Sequence, residues 1–594
     1  MWIRSSLCCG VWVAFSGGSA VAQGLSFTDV TQASGITSAF EFPPGVNPPQ
    51  KMLAGGAVGD FDRDGDQDLF VLSGGGSPDR LYINNGSGVF ADHAAAWGVD
   101  RAHMGAGAAV ADVNGDGWLD IFVTSHGTPT APGTPGQHAL YMNNGDGTFT
   151  DRAFEAGLQT ITAVADGFGA SFGDFDLDGD LDLAVAGWMY QAGGNRLFEN
   201  NGAGLFTDIT AAALPPSVFD CRGFSPWFHD MDGDLYPELL WTSDFDTSRY
   251  LVNNGDGPFA DFTVGSGTGL DSNGMGATIA ELNADGLPDW YVTSIDNSAS
   301  QFRSGNMMYI NQGGHVYTEV SLQSGVNQGG WAWGADAPDF DHDGGADLGW
   351  TNGWRQVPAH FDDPTFLCTN HGTGVIKATN PNESGVTHNE DGRGLLTFDA
   401  DNDGDRDLVI FSTDVPTVLY RNELAGAQSN WLTVALDTSA DPALAPDGVG
   451  ARVEITVAGA VPRRWITASP NYLSQSELSA HFGLAGAATV DTLVVRWQDG
   501  AETTLTNLDA NQRLVVAAPG PCSADISTTD ACTPGQSDGV VTLGDFSCYL
   551  SEWSNGSAFA DITSPARCEV NSGGDGVTLS DFSCYLSLWA QGCP

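Results

Sequence analysis

A chain of 594 residues is too long for one hydrophobic core, so several domains are expected. Its formal net charge of −53 excludes nucleic acid and anionic membrane surfaces as partners, since both would repel it. Gly is abundant at 78, yet 41% of residues are hydrophobic, which excludes a disordered chain and points to a turn-rich β protein.

At the N-terminus, Arg4 precedes an apolar run over residues 7–15 and the small-residue site Ala20-Val21-Ala22. This pattern predicts a secretory signal peptide over residues 1–22, hence an exported protein that is secreted or held at the cell surface. Cys8 precedes most of the apolar run, which argues against a lipoprotein signal. No later stretch offers ~20 continuous apolar residues, so no transmembrane helix is expected.

Next comes an acidic nine-residue loop written seven times, at intervals of 52, 62, 56, 51, 58 and 60 residues. Oxygen-bearing side chains hold positions 1, 3, 5 and 9. The first copies are Asp60, Asp62, Asp64, Asp68; Asp112, Asn114, Asp116, Asp120; and Asp174, Asp176, Asp178, Asp182. The fourth and fifth are Asp230, Asp232, Asp234, Glu238 and Glu281, Asn283, Asp285, Asp289. The last are Asp339, Asp341, Asp343, Asp347 and Asp399, Asp401, Asp403, Asp407. So many anions in a tight loop repel one another unless a cation sits among them. Hard oxygens at odd positions suit Ca²⁺, which takes six to eight of them at flexible angles. About seven Ca²⁺ sites are therefore expected, with position 7 adding a main-chain carbonyl. Glycine holds position 6 in every copy but the fourth, where Leu235 replaces it and Pro237 follows.

A constant frame surrounds each loop. A small-residue strand such as Ala54-Gly55-Gly56-Ala57-Val58 precedes it, and an apolar strand such as Leu69-Phe70-Val71-Leu72 follows. A third strand (Leu81-Tyr82-Ile83), a turn (Asn84-Asn85-Gly86-Ser87-Gly88) and a closing Phe-Thr-Asp complete the unit. Four short antiparallel strands at this spacing predict one propeller blade per repeat. The seventh unit lacks its Phe-Thr-Asp, whereas Ser26-Phe27-Thr28-Asp29 is an orphan copy of it. The N-terminal strand is therefore expected beside Tyr420, closing a seven-bladed ring and removing two sheet edges.

With their flanking Asp-Leu and Phe-Thr-Asp, these loops resemble the FG-GAP/VCBS repeats of integrin α-subunit heads and many secreted bacterial proteins. The resemblance spans residues 25–424 within a propeller domain placed at 23–424. It implies Ca²⁺ held in the hairpins of a β-propeller.

Over residues 425–518 the acidic loops stop and alternating strands begin, as in Asn430-Trp431-Leu432-Thr433-Val434 and Val490-Asp491-Thr492-Leu493-Val494-Val495-Arg496-Trp497. With Tyr472-Leu473-Ser474-Gln475-Ser476 and His481-Phe482-Gly483-Leu484 between them, this segment resembles the ASPIC/UnbV domain of cartilage acidic protein-like proteins. Period-two patterning predicts a small β-sandwich packed beside the propeller.

Residues 519–594 begin with a Pro/Gly linker and hold six cysteines. Asp545-Phe546-Ser547-Cys548-Tyr549-Leu550 returns as Asp581-Phe582-Ser583-Cys584-Tyr585-Leu586. The tandem resembles a dockerin-type pair of loop–helix units, with disulfides as its staple. Cys221 and Cys368 stand alone, with a bridge between them left open.

Gly169-Ala170-Ser171-Phe172-Gly173 matches the nucleophile pattern, yet it aligns with the small-residue strand of the third repeat. No H-E-x-x-H set and no phosphate-cradling glycine motif occurs. The expectation is thus an all-β, monomeric, calcium-binding and non-catalytic adhesion protein that meets an extracellular protein or glycan. Two other readings remain: a lectin-like glycan binder, favoured by Trp331, Trp333, Trp350 and Trp354, and a Ca²⁺-dependent polysaccharide-processing enzyme.

Overall fold

The computed structural model describes residues 24–520 apart from 44–49, 128–136, 160–165, 190–192, 256, 297–303, 373–376, 379–383, 414 and 425–428. The expected signal peptide and the dockerin-like tandem lie outside the described residues.

The chain is all-β, with only short helices. Each repeat forms a separate antiparallel sheet of four strands in chain order. In sheet one these are Gly56–Gly59, Asp68–Val71, Arg80–Asn84 and Phe90–Asp92. Sheets two to six follow over residues 105–151, 170–208, 222–261, 277–319 and 332–378. Sheet seven takes its inner three strands from residues 392–422 and its outermost from Phe27–Asp29. That strand pairs with Val418–Asn422, with Asp29 opposite Tyr420 and Phe27 opposite Asn422. The second strand of each sheet is wholly or almost wholly buried, as its apolar run requires. The aspartate of Phe-Thr-Asp, or of Phe-Ala-Asp in sheet one, accepts the N–H two residues on (Asp29 from Thr31, Asp92 from Ala94, Asp208 from Thr210) and so starts a one-turn helix.

Beyond the ring, Asn430–Asp437 lies between Ala480–Ala485 and Gln512–Ala517 in a three-stranded sheet. A four-stranded sheet runs Arg463–Trp465, Arg452–Thr456, Thr489–Arg496, Glu502–Asp509. Val434, Phe482, Val453 and Val495 join the two in one core.

This domain does more than pack beside the repeats. Residues 468–476 leave it and run between the innermost strands of the seven sheets. Ser474–Gln475 pairs in parallel with Gly56 and Ala57, and Ala468 O accepts from Phe172 N. Leu473 O accepts from Ala108 N, and Asn471 O from Ala335 N. The Gln475 amide bonds both the N–H and the carbonyl of Val110. Tyr472 is fully buried and donates to Met52 O. The insert explains the small inner strands: a Cβ on Gly55 would lie 2.1 Å from Leu473 O, and one on Gly394 2.0 Å from Ser474 Oγ.

Cys221 and Cys368 are both buried thiols, so the bridge between them does not form.

Candidate metal loops and the domain seam

All seven loops fold alike. The position-1 acid accepts the N–H of position 6, as in Asp60 with Gly65 at 3.0 Å, Asp174 with Gly179 at 3.0 Å and Asp339 with Gly344 at 2.9 Å. Position-3 and position-5 acids accept N–H groups two residues on (Asp62 from Asp64, Asp64 from Asp66). These turns aim the carboxylates of one loop at a common point. Oxygens of Asp60, Asp62 and Asp68 lie within 4.8 Å of one another, as do those of Asp174, Asp176 and Asp182, and of Asp230, Asp232 and Asp234. An all-oxygen donor set of this kind fits a hard divalent cation.

The structure gives the position-9 acids a second task. Asp68 accepts from Phe61 N at 3.0 Å and from Asn84 N at 2.8 Å, tying the loop base to the third strand. Asp120, Asp182, Asp289, Asp347 and Asp407 repeat both bonds, and Glu238 keeps the first. Each carboxylate oxygen has two lone pairs, so these bonds leave acceptor capacity toward the loop centre.

One residue class escaped sequence reasoning. The asparagine that ends or directly follows each third strand donates its Nδ2 to the position-2 carbonyl of a neighbouring loop. Asn143 reaches Phe61 O, Asn200 Val113 O, Asn253 Phe175 O, Asn311 Met231 O, Asn370 Leu282 O and Asn422 Phe340 O. Asn84 reaches Ala400 O at 2.8 Å, which closes the circle. Two histidines were also missed: His371 contacts Asp343 beside Asp341, and His315 Nε2 lies 3.1 Å from Asp232 near Glu238. The signal available was their place in the turns after the third strands.

Burial raises the loop carboxyls. Asp60, Asp341 and Asp403 are pushed to about 6, Asp174 and Asp399 to about 7, and Asp68, Asp120, Asp289 and Asp339 to about 8. Neighbouring carboxylates add to the rise. Glu477 goes the other way: burial would lift it, but Arg406 and Arg513 hold it at about 2.

The loops do not all face outward. Gly483 N donates to Asp339 Oδ2 at 3.0 Å, Arg463 reaches Glu281 at 3.4 Å, and His481 Nε2 meets Gly404 O at 3.0 Å. Gly500 lies against Leu235 of the fourth loop, and Pro442 against Gly179 of the third. Across loops one to three, a cavity of about 650 Å³ separates Asp60, Asp112 and Asp180 from Asp437, Asp441 and Asp447. The C-terminal domain is thus seated on the loop face of the ring, with Glu477 clamped between Arg406 of the ring and its own Arg513.

Ser171 of the nucleophile-like motif is buried in a strand and bonded to Ser469 Oγ at 2.7 Å. No helix among the described residues is long and apolar enough to cross a membrane.

Comparison with known proteins agrees with these two parts. The FG-GAP-like repeat family matches residues 60–123, 130–185, 174–241 and 230–292, and the ASPIC and UnbV family matches 442–521. Cartilage acidic protein 1 of Xenopus tropicalis is 25% identical over 215 residues, 35% of this chain and 31% of that protein. The human protein of that name is 24% identical over 245 residues (39% and 35%), and that of Mus musculus 32% over 186 (29% and 26%). The chain spans about a third of the length of the curated relatives it matches. Among solved structures, rhamnogalacturonan lyase YesW is 14% identical with a TM-score of 0.33, covering 62% of this chain and 71% of that one. The V. cholerae biofilm matrix protein Bap1 is 12% identical with a TM-score of 0.30, covering 79% and 62%. This chain carries FG-GAP-like repeats and an ASPIC and UnbV domain, and over about a third of its length it is homologous to cartilage acidic protein 1.

Proposed function

We propose that the chain is an exported, calcium-dependent, non-catalytic interaction protein built on a seven-bladed β-propeller. About seven Ca²⁺ ions neutralise the hairpin loops and hold the face on which the ASPIC and UnbV domain is seated. The observation that carries this reading is the convergence of position-1, 3 and 9 carboxylates within 4.8 Å in loops one and three, the third of which also lies against Pro442 and Ala443 of the C-terminal domain. The ions are then internal mortar, and the partner meets the opposite face or the outer strands.

A non-catalytic role is supported by three buried acids outside the loops that are engaged in structure. Asp79 pairs with His103, Asp166 accepts from Trp188 N and Met189 N, and Asp271 accepts from Ser248 and Tyr309.

Metal analysis of the purified protein is the test. About seven calcium ions per chain are expected. EDTA should lower the melting temperature sharply, because an ion at 100 times its dissociation constant stabilises a site by about 2.7 kcal/mol. A ring that folds and melts identically without any divalent ion would end this reading.

A further inference from the structure

The innermost strands enclose a channel that residues 468–476 enter from the C-terminal domain, and it has a second mouth. Each acidic loop joins the end of a first strand to the start of a second, so the other ends of these strands open on the face away from the C-terminal domain; Arg222 opposite Asp244 marks that end in sheet four. There a cavity of about 410 Å³ lies among Trp331, Trp333, Trp354, Phe245, Asp246 and Asn273. This size is that of a small-molecule site. Its depth is set by the insert: Tyr472 packs 5.5 Å from Phe224 and 5.4 Å from Trp333, both on the wall, so the channel ends there as a cup.

The wall chemistry selects the ligand. Trp331 and Trp354 stack at 5.5 Å and 20°, giving a broad indole surface. Aromatic faces attract cations, but here they already hold them. The Arg393 guanidinium lies 4.3 Å from the Trp333 ring and 5.2 Å from Trp354, and Arg222 lies 5.2 Å from Phe245. Neither guanidinium lines the cavity, but each sits on a ring that does and weakens that ring's pull on a second cation, while an anionic ligand would meet Asp244 and Asp246 on the wall. What remains is a neutral molecule with an apolar face and several hydroxyls. Asp246 accepts hydrogen bonds, and the Asn273 amide both donates and accepts.

Phe245 supplies an independent sign. It is 54% exposed at the rim and adopts φ 57°, followed by Asp246 at φ 57°. A bulky side chain in the left-handed region is strained. Asparagine or glycine would make this turn more easily; the ring packs against Arg222 and Trp188, and its exposed part stands at the mouth where a ligand would touch it.

We propose that this cup binds a neutral sugar ring, its C–H face on the tryptophan cluster and its hydroxyls on Asp246 and Asn273. The experiment screens the calcium-loaded full chain on an array of neutral, uronic-acid and sialylated oligosaccharides, then titrates tryptophan fluorescence with the best neutral glycan and with tetramethylammonium. Neutral glycans should be retained and should quench the fluorescence. Phe245→Asn should weaken binding roughly tenfold while leaving the melting temperature equal or higher. Trp331→Ala should abolish it. Retention of no neutral glycan, tighter binding of tetramethylammonium, or a Phe245→Asn protein that binds like the wild type would overturn the assignment. Metal content of the same sample reports separately on the loops, so the two readings can fail independently.

Discussion

In every acidic loop two backbone positions carry positive φ. Position 6 lies between φ 83° and 98°, and position 4 is held by Arg63, Gly115, Leu177, Gly233, Ala284, His342 and Asn402. Glycine at position 6 was legible in the sequence. The demand at position 4 was not, because five of seven copies meet it with a side chain and absorb the strain. Loop four shows how the exception works: Gly233 moves to position 4, and Leu235 takes φ 83° at position 6. Leu235→Gly should therefore stabilise the protein by about 0.5–1 kcal/mol, the relief of left-handed strain less the added freedom of the unfolded chain. Chemical denaturation read against wild type checks this, and a lower midpoint would count against strain at Leu235. The asparagine staples and the two histidines were hidden for a different reason. A single polar residue in a turn already explained by its neighbours leaves no surplus signal, and its partner lies 78 to 88 residues away in six of the seven staples.

The strands themselves were legible from the apolar runs, the closing Phe-Thr-Asp and the orphan copy near the N-terminus. One element was misplaced. Tyr472-Leu473-Ser474-Gln475-Ser476 reads as a strand of its own domain, yet Ser474–Gln475 joins sheet one. A pairing across some 400 residues leaves no periodicity to follow. The small inner residues were visible in the sequence, but what they make room for was not. The space in fact admits a strand, and six sheets place a glycine there while sheet four places Ser225, which bonds Tyr472 O. Tyr472 anchors this element, so Tyr472→Ala should cost about 3–5 kcal/mol in denaturant unfolding. The far-UV circular dichroism of the ring should survive. A cost under about 1 kcal/mol would mean that the insert contributes little to holding the molecule together.

For the whole molecule, electrostatics set the pH response. Burial raises the loop carboxyls in the metal-free state, Asp182 and Glu238 to about 9 and Asp68 and Asp120 to about 8. A carboxyl raised on folding binds more protons folded than unfolded. Its contribution is present below its unfolded value of about 4 and lost as pH rises through the folded value. In EDTA the melting temperature should thus fall steadily from about pH 5 to about pH 9. Glu477, held at about 2, loses its contribution only below that window. With Ca²⁺ present the slope should flatten or reverse, since the ion displaces those protons. A metal-free midpoint that climbs with pH would contradict the buried, self-repelling loops described above. The same arrangement also constrains how the molecule is made. The strand at Phe27–Asp29 waits for a partner that ends at Asn422, and the residues that fill the axis come later still, at 468–476. The chain must therefore exist through Asn422 before the circle can close, and through residue 476 before its axis is filled. Until then, half-built sheets stand open to one another and to other nascent chains.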